Sequence, residues 1–358
     1  MKRLLSIAAL LVAASACSRK TPPPAPEPTK AIDPAKLAAF APLPERFASE
    51  ANPITPAKVE LGRRLFFDTR LSLARGLSCN SCHGLDRFGV DGEKVSTGHK
   101  RQTGTRNSPS VYDAAGQVAQ FWDGRAPDVE TQATMPIRNP IEMAMPDETT
   151  VVKRLSAIPE YRRAFADAFP GLEAPTFDAV GKAIGAFERT LVTPSRWDDF
   201  LRGNASALTD DEKLGFETFS NTGCPTCHNG ALVGGGMFQK LGLVKPWPDT
   251  HDQGRYEVTK LDADRMVFKV PSLRNVAKTA PYVHDGSVAT LDEAVRLMAR
   301  HQLGKELADA DVKRIVDFLG ALTGKLPDTA APEPYPDPKA PKPTRARRLA
   351  RAGETRWS

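Results

Sequence analysis

Apolar residues recur every three to four positions in four stretches of the chain, and sustained two-residue alternation appears nowhere. Val151, Val152, Leu155, Tyr161 and Phe165 predict an amphipathic helix over about 148–168, and Phe177, Val180, Ile184, Phe187 and Leu191 another over 177–191. Leu291, Ala294, Val295 and Met298 predict a third over 291–301, and Val312, Ile315, Val316, Leu319 and Leu322 a fourth over 310–322. Two further helix starts are legible. Thr55-Pro56 puts proline at a first helical position, and Thr209-Asp210-Asp211-Glu212 has the form of a capping box. Each start leads into a similar string, Leu61-Gly62-Arg63-Arg64-Leu65-Phe66 in one case and Leu214-Gly215-Phe216-Glu217-Thr218-Phe219 in the other. The pattern predicts a mainly α protein of two duplicated helical domains, 31–195 and 196–327, with the boundary near 193–207. Stretches rich in Gly, Pro and Asn at 84–146 and 229–289 are too long for simple connections, and such loops are usually functional.

Composition separates the ends from the body. The 358 residues are 41% apolar, enough for two cores, and carry a net charge of +6. Nearly all of that charge lies in residues 1–30 and 328–358, which leaves 31–327 close to neutral and gives a nucleic-acid-binding face no support. Residues 1–16, two basic residues followed by a short apolar run and small residues, have the form of a bacterial export signal. Cys17 directly after Ala14-Ser15-Ala16 resembles a lipidation site, with ordinary cleavage after Ala16 as the alternative. Residues 18–30 form a Pro-rich tether, so 17–30 is expected to anchor the chain to a membrane from outside the cytoplasm. Residues 328–358, Pro-rich and ending in an Arg-rich stretch, are expected to be a disordered tail.

Four cysteines remain, in two pairs: Cys79-Asn80-Ser81-Cys82-His83 and Cys224-Pro225-Thr226-Cys227-His228. Each is CxxCH, the attachment signature of c-type haem: two thiols form thioethers with one porphyrin, and the histidine lies under its iron. A zinc ribbon would bring its pairs within about 20 residues, whereas 141 residues separate Cys82 from Cys224. A thioredoxin-like dithiol would account for one pair and not for histidine in the same place twice. Two covalently bound haems c are therefore expected, through Cys79, Cys82, His83, Cys224, Cys227 and His228. His99, His251, His284, His301 and Met298 remain as candidates for second axial positions. A methionine on the stripe of 291–301 is ordinarily core filling, and His301 lies one turn after it.

The long loops carry strings that make the chain resemble the bacterial dihaem cytochrome c peroxidases, a family that includes MauG-type enzymes. They are Leu65-Phe-Phe-Asp-Thr-Arg-Leu-Ser72, Arg106-Asn-Ser-Pro-Ser-Val111, Phe121-Trp-Asp-Gly-Arg-Ala126, Asn139-Pro-Ile-Glu-Met143, Phe268-Lys-Val-Pro-Ser-Leu-Arg-Asn275 and Thr279-Ala-Pro-Tyr-Val-His-Asp-Gly-Ser287. The resemblance covers about residues 50–323. It implies a peroxidatic haem on His83 with His99 as removable ligand, and an electron-accepting haem on His228 with Met298 opposite. It implies Trp122 as electron carrier between them, Gln132 and Glu142 on the peroxide side, and calcium at Asn107 and the carbonyls of Thr279 and Pro281. It further implies hydrogen peroxide as substrate, a small cytochrome c or cupredoxin as donor, and often a homodimer. Without the resemblance Glu142 would read as an exposed loop carboxylate. Two rivals stand beside this reading: a MauG-like enzyme oxidising a partner protein, and a dihaem electron-transfer cytochrome. The MauG branch has Tyr at the position of Met298 and lacks the removable histidine, so this chain resembles the peroxidase branch more closely.

Overall fold

A computed structural model of the protein describes residues 31–328 and 330–336. The expected export signal, Cys17 with its tether, and residues 337–358 lie outside the described residues. Two helix crossings organise the rest. Helix α2 (Pro56–Phe67) packs on α7 (Phe177–Glu188), and α9 (Asp210–Thr222) packs on α12 (Asp309–Ala321). The repeated Leu-Gly string explains both. A Cβ on Gly62 would stand 1.9 Å from the Ala183 carbonyl oxygen, and one on Gly215 would stand 2.1 Å from that of Arg314. Only glycine lets the two backbones come this close. The caps are as expected: Thr55 accepts from the Lys58 N–H, and Thr209 and Glu212 close a reciprocal box.

Each crossing seeds a hydrophobic core. The first holds Leu61, Leu65, Phe66, Tyr161, Phe165, Val180 and Ile184. The second is aromatic: Trp197 of α8 (Arg196–Leu201) lies 5.0 Å from Phe216 and 5.2 Å from Phe318, between ring centroids. The remaining helices are α1 (Pro34–Leu37), α3 (Cys79–Cys82), α4 (Val129–Arg138), α5 (Glu148–Ser156), α6 (Pro159–Ala168), α10 (Tyr256–Thr259) and α11 (Leu291–Leu303).

Several expectations change. The helix expected over 148–168 is two, α5 and α6, because Pro159 has no N–H to continue the ladder and holds Ile158 extended. The stretch 84–146 contains α4, capped by Asp128 and hidden from the sequence pattern by Pro136 inside it. The stretch 229–289 contains an antiparallel pair, β1 (Phe238–Lys240) and β2 (Val267–Lys269), too short to show alternation. Residues 31–43, assigned to the first domain, pack on the second core instead. Phe40 lies edge-on to Trp197 and Phe216, and the Leu43 N–H donates to Asp198 at 2.7 Å. Residues 330–336, expected to be disordered, fold back on the first half. Tyr335 packs edge-on to Tyr161 at 4.9 Å under the Arg64 guanidinium, and its carbonyl accepts from Arg70 at 2.9 Å. Both ends of the described chain thus cross to the opposite half.

Replacing Gly62 or Gly215 by alanine is expected to cost at least about 2 kcal/mol through backbone displacement at the crossing. Gly76→Ala, which meets nothing within 4 Å, is expected to leave stability unchanged. Thermal unfolding midpoints of the three variants check this.

Candidate functional site

Each CxxCH closes a single tight turn. The His83 N–H donates to the Cys79 carbonyl at 2.9 Å, and the His228 N–H to that of Cys224 at 3.0 Å. The turn brings the two thiols to one side and sets the imidazole just beyond them. Ser78 and Ser81 cap the first turn reciprocally; Gly223, at φ +104°, ends α9 and leads straight into the second. None of the four cysteines is in a disulfide. Burial pushes all four thiols up, Cys224 to about 12. No cluster of three His, Cys, Asp or Glu able to hold a bare metal ion occurs among the described residues.

The histidines are supported alike. His83 Nδ1 lies 3.3 Å from the Gly89 carbonyl oxygen. His228 Nδ1 faces the carbonyls of Val233 and Pro271 without closing a hydrogen bond, and burial pulls this imidazole down to about 4. Both rings are thus neutral at pH 7, as an iron ligand must be, with Nδ1 turned to backbone oxygen. Gly234 makes room: a Cβ there would stand 2.2 Å from the Pro271 oxygen. The Ser110 hydroxyl donates to the Phe88 carbonyl at 2.7 Å, and the Ser272 hydroxyl to that of Leu232 at 2.8 Å. Pro109-Ser110 and Pro271-Ser272 therefore occupy matching places, and the duplication reaches into the loops that back the histidines.

It reaches further. Phe121 and Val283 both have positive φ, each is followed three residues later by a positive-φ glycine, and each turn is closed by an isolated bridge. Trp122 and His284 are thus counterparts. Their ring centroids are 6.4 Å apart, nearly perpendicular, and the Trp122 indole N–H donates to the Asn107 carbonyl at 2.9 Å. His284 is buried, with Nδ1 unpartnered and Nε2 4.0 Å from Asp252. The repeated Asp-Gly after Trp122 and His284 was the available signal for this pairing, and the helical pattern did not reveal it.

A largely apolar cleft opens in front of His228. Cys224, Cys227, Met298 and Trp122 line it, and so do Asn107, Thr279 and Pro281. His301 turns away from it, with Nδ1 3.0 Å from the Lys245 carbonyl and its ring edge-on to Trp247. His251 is solvent-facing, against Asp249. The site's donors fit a covalently held haem: two protonated, unpaired thiols, a neutral half-buried imidazole and a thioether around an apolar space.

The first motif has different company. Asn139 Nδ2 donates to Glu142 Oε1 at 2.8 Å. Burial raises the Glu142 carboxyl against the opposing pull of Arg125 and that hydrogen bond, and its charge acts on both Cys79 and Cys82. The His99 N–H donates to the carbonyls of Ile141 and Glu142, both at 2.8 Å. A Cβ on Gly98 would meet the Ile141 oxygen at 2.1 Å, so this glycine permits the two loops to touch. Lys100 and Arg101 follow with φ of +54° and +62°, two consecutive strained residues. A second cleft runs to Glu142 past Phe121, Arg125, Thr131 and Thr134; Gln132, half-buried on α4, does not line it. Glu188 went unnoticed in the sequence because the stripe over 177–191 drew attention to its apolar members. It is buried at the end of α7, and burial, then Glu130, push it up to about 8 against Arg189.

A buried ion pair ties α8 to the loop behind His228 within the second half. Arg274 grips Asp198 at 2.7 and 2.9 Å, and both side chains are almost wholly inaccessible. Asp113 and Asn275, both at positive φ, converge on the Thr193 hydroxyl at 2.6 and 2.8 Å.

Comparison with known proteins follows the same lines. The family model of di-haem cytochrome c peroxidases matches residues 56–206. The cytochrome c551 peroxidase of Nitrosomonas europaea is 48% identical over 275 residues, 76% of this chain and 82% of that protein. That of Pseudomonas aeruginosa is 46% identical over 303 residues, 82% and 87% respectively. The methylamine utilization protein MauG of Methylorubrum extorquens is 38% identical over 245 residues, 68% and 69%. Among solved structures, a MauG-like protein associated with microbial copper homeostasis superposes with a TM-score of 0.71 at 30% identity, covering 83% of this chain and 97% of that one.

Removing one partner of the Arg274–Asp198 pair leaves a buried charge, so Asp198→Asn is expected to cost about 3–5 kcal/mol. Burial alone would raise the Asp198 carboxyl, but Arg274 and the N–H groups of Leu43 and Ser195 outweigh it and hold it low. Its contribution is therefore full above the ordinary carboxylate range and lost as pH falls through the depressed value. Denaturation midpoints of the two proteins, which should converge toward acid pH, check this.

Proposed function

This chain belongs to the di-haem cytochrome c peroxidase family, and on that footing we propose that it reduces hydrogen peroxide to water with electrons from a small cytochrome c or cupredoxin. The observation that carries the reading is the asymmetry of two like centres. One has a half-buried carboxyl, raised by its surroundings, near its CxxCH and a strained histidine loop, whereas the other has a methionine and an apolar cleft. Two haems bound there through thioethers would supply the redox chemistry, electron acceptance at one centre and peroxide reduction at the other.

The residues divide the work. Cys79, Cys82 and His83 would hold the peroxidatic haem and Cys224, Cys227 and His228 the other, whose potential the thioether of Met298 would raise. His99 would be the removable ligand of the first centre, on a strained loop that would permit it to move. Trp122, fixed by its bond to the Asn107 carbonyl, lies between the halves and carries electrons across. The Glu142 carboxylate takes the proton from the inner peroxide oxygen and returns it to the outer one as water leaves. Gln132 assists on that side. Each turnover consumes two electrons and two protons for one peroxide and yields two waters. Asn107 Nδ2 already donates to the carbonyls of Glu93 and Lys94, which leaves Oδ1 available. With the carbonyls of Thr279 and Pro281, which line the same cleft, it would offer neutral oxygens to a calcium ion. Export by residues 1–16 and an anchor at Cys17 place the enzyme in the periplasm, tethered to a membrane.

Half-reduced protein with calcium is expected to show a first haem without a sixth protein ligand and to consume peroxide when reduced cytochrome c is added. A first haem that stays six-coordinate and low-spin, with no peroxide consumed, overturns the reading.

Glu142 acts as a base when ionised, and its carboxyl is raised above the usual range. The acid limb of kcat/KM is therefore expected above ordinary carboxylate pH, with activity lost as pH falls through it. Arg125→Gln removes a counterweight and moves the limb higher. Glu142→Gln abolishes the limb and lowers turnover by about 10²–10⁴. Steady-state pH profiles of the three proteins decide.

A further inference from the structure

Lys269 ends β2 and is 5% exposed on the wall of the His228 cleft. Its Nζ donates to Oε1 of Gln117, a neutral acceptor reaching across from the first half. An ammonium has three donors and a full charge, and no carboxylate stands within ion-pair distance of this one among the described residues. The cleft's other cation, Arg274, is matched by Asp198. No aspartate or glutamate lines the cleft at all. The wall thus presents one uncompensated positive charge, which is costly to bury unless the occupant supplies an anion. Burial pulls this lysine down to about 8, the response of a cation lacking its counter-ion.

The duplication isolates what is special about the position. Pro271 matches Pro109, so Lys269 matches Asn107. Trp122 touches both, donating to the Asn107 carbonyl and accepting from the Lys269 N–H at 2.8 Å. The same structural place carries a neutral side chain in the first half and a cation in the second.

We propose that Lys269 is the counter-ion of a propionate carboxylate on the haem held by Cys224, Cys227 and His228, and that its charge raises the potential of that centre. This rests on the haem assignment proposed above. A cation beside an iron disfavours the oxidised, more positive state, so Lys269 acts in the same direction as Met298. It adds to the downhill ordering by which electrons are accepted at the second centre.

The test is a spectroscopic redox titration of the haem-loaded protein and of Lys269→Gln, Lys269→Arg and Gln117→Leu. The second centre is expected to fall in midpoint potential in Lys269→Gln, to stay near its original value in Lys269→Arg and Gln117→Leu, and the first centre to shift less. Equal potentials in Lys269→Gln and the parent overturn the proposal. So does an equal fall in Gln117→Leu, which would make the pair a structural bridge. If Lys269→Gln does not load its second haem while Lys269→Arg does, the counter-ion role stands; failure of all three variants to load overturns it. A haem count below two per chain in the parent protein refutes the haem assignment instead, and separates that failure from this one.

Discussion

Two glycines set the frame on which everything else hangs. At Gly62 and Gly215 a helix backbone lies against a carbonyl of its partner, closer than any Cβ allows. These contacts fix α2 on α7 and α9 on α12, and with them the direction in which each chain leaves its first helix. The second leaves through Gly223 straight into a CxxCH turn, and the first reaches its own turn after a short loop. The histidines are aimed by backbone hydrogen bonds within those turns and by Pro-Ser loops behind them. The aim is therefore inherited from two helix crossings rather than built residue by residue around a cofactor.

On that doubled frame, function comes from the places where the copies diverge. Matching loops hold Trp122 in one half and His284 in the other, Asn107 in one and Lys269 in the other. The Glu142 loop and the strained His99 turn touch through Gly98 beside the first motif, whereas the second has Met298 and a cleft without carboxylates. Identical support with different charge and ligand chemistry is an economical way to give two similar centres unequal potentials.

The halves are joined by buried polar contacts as well as by apolar ones. Asp113 and Asn275, meeting on Thr193, specify one mutual orientation because a displaced partner would leave a buried donor or acceptor unmatched. The two crossing segments, 32–43 at one end and 330–336 at the other, close the assembly from outside.

Much of this was legible in the chain itself. Helical periodicity, the two CxxCH motifs, the caps at Thr55 and Thr209 and the repeated Leu-Gly strings all depend on neighbours within a few residues, and local spacing carries them without distortion. Proline defeated the reading twice, splitting the helix at Pro159 and hiding α4 behind Pro136, because it disrupts periodicity whether or not the helix continues. The crossing of residues 31–43 and 330–336 onto the opposite halves left no local trace. Nor did the pairing of Trp122 with His284, the burial of Glu188, or the uncompensated charge of Lys269. Each of these depends on what lies across a gap in space from a residue distant in sequence. Desolvation and charge balance are properties of that neighbourhood, and only the folded chain assembles it.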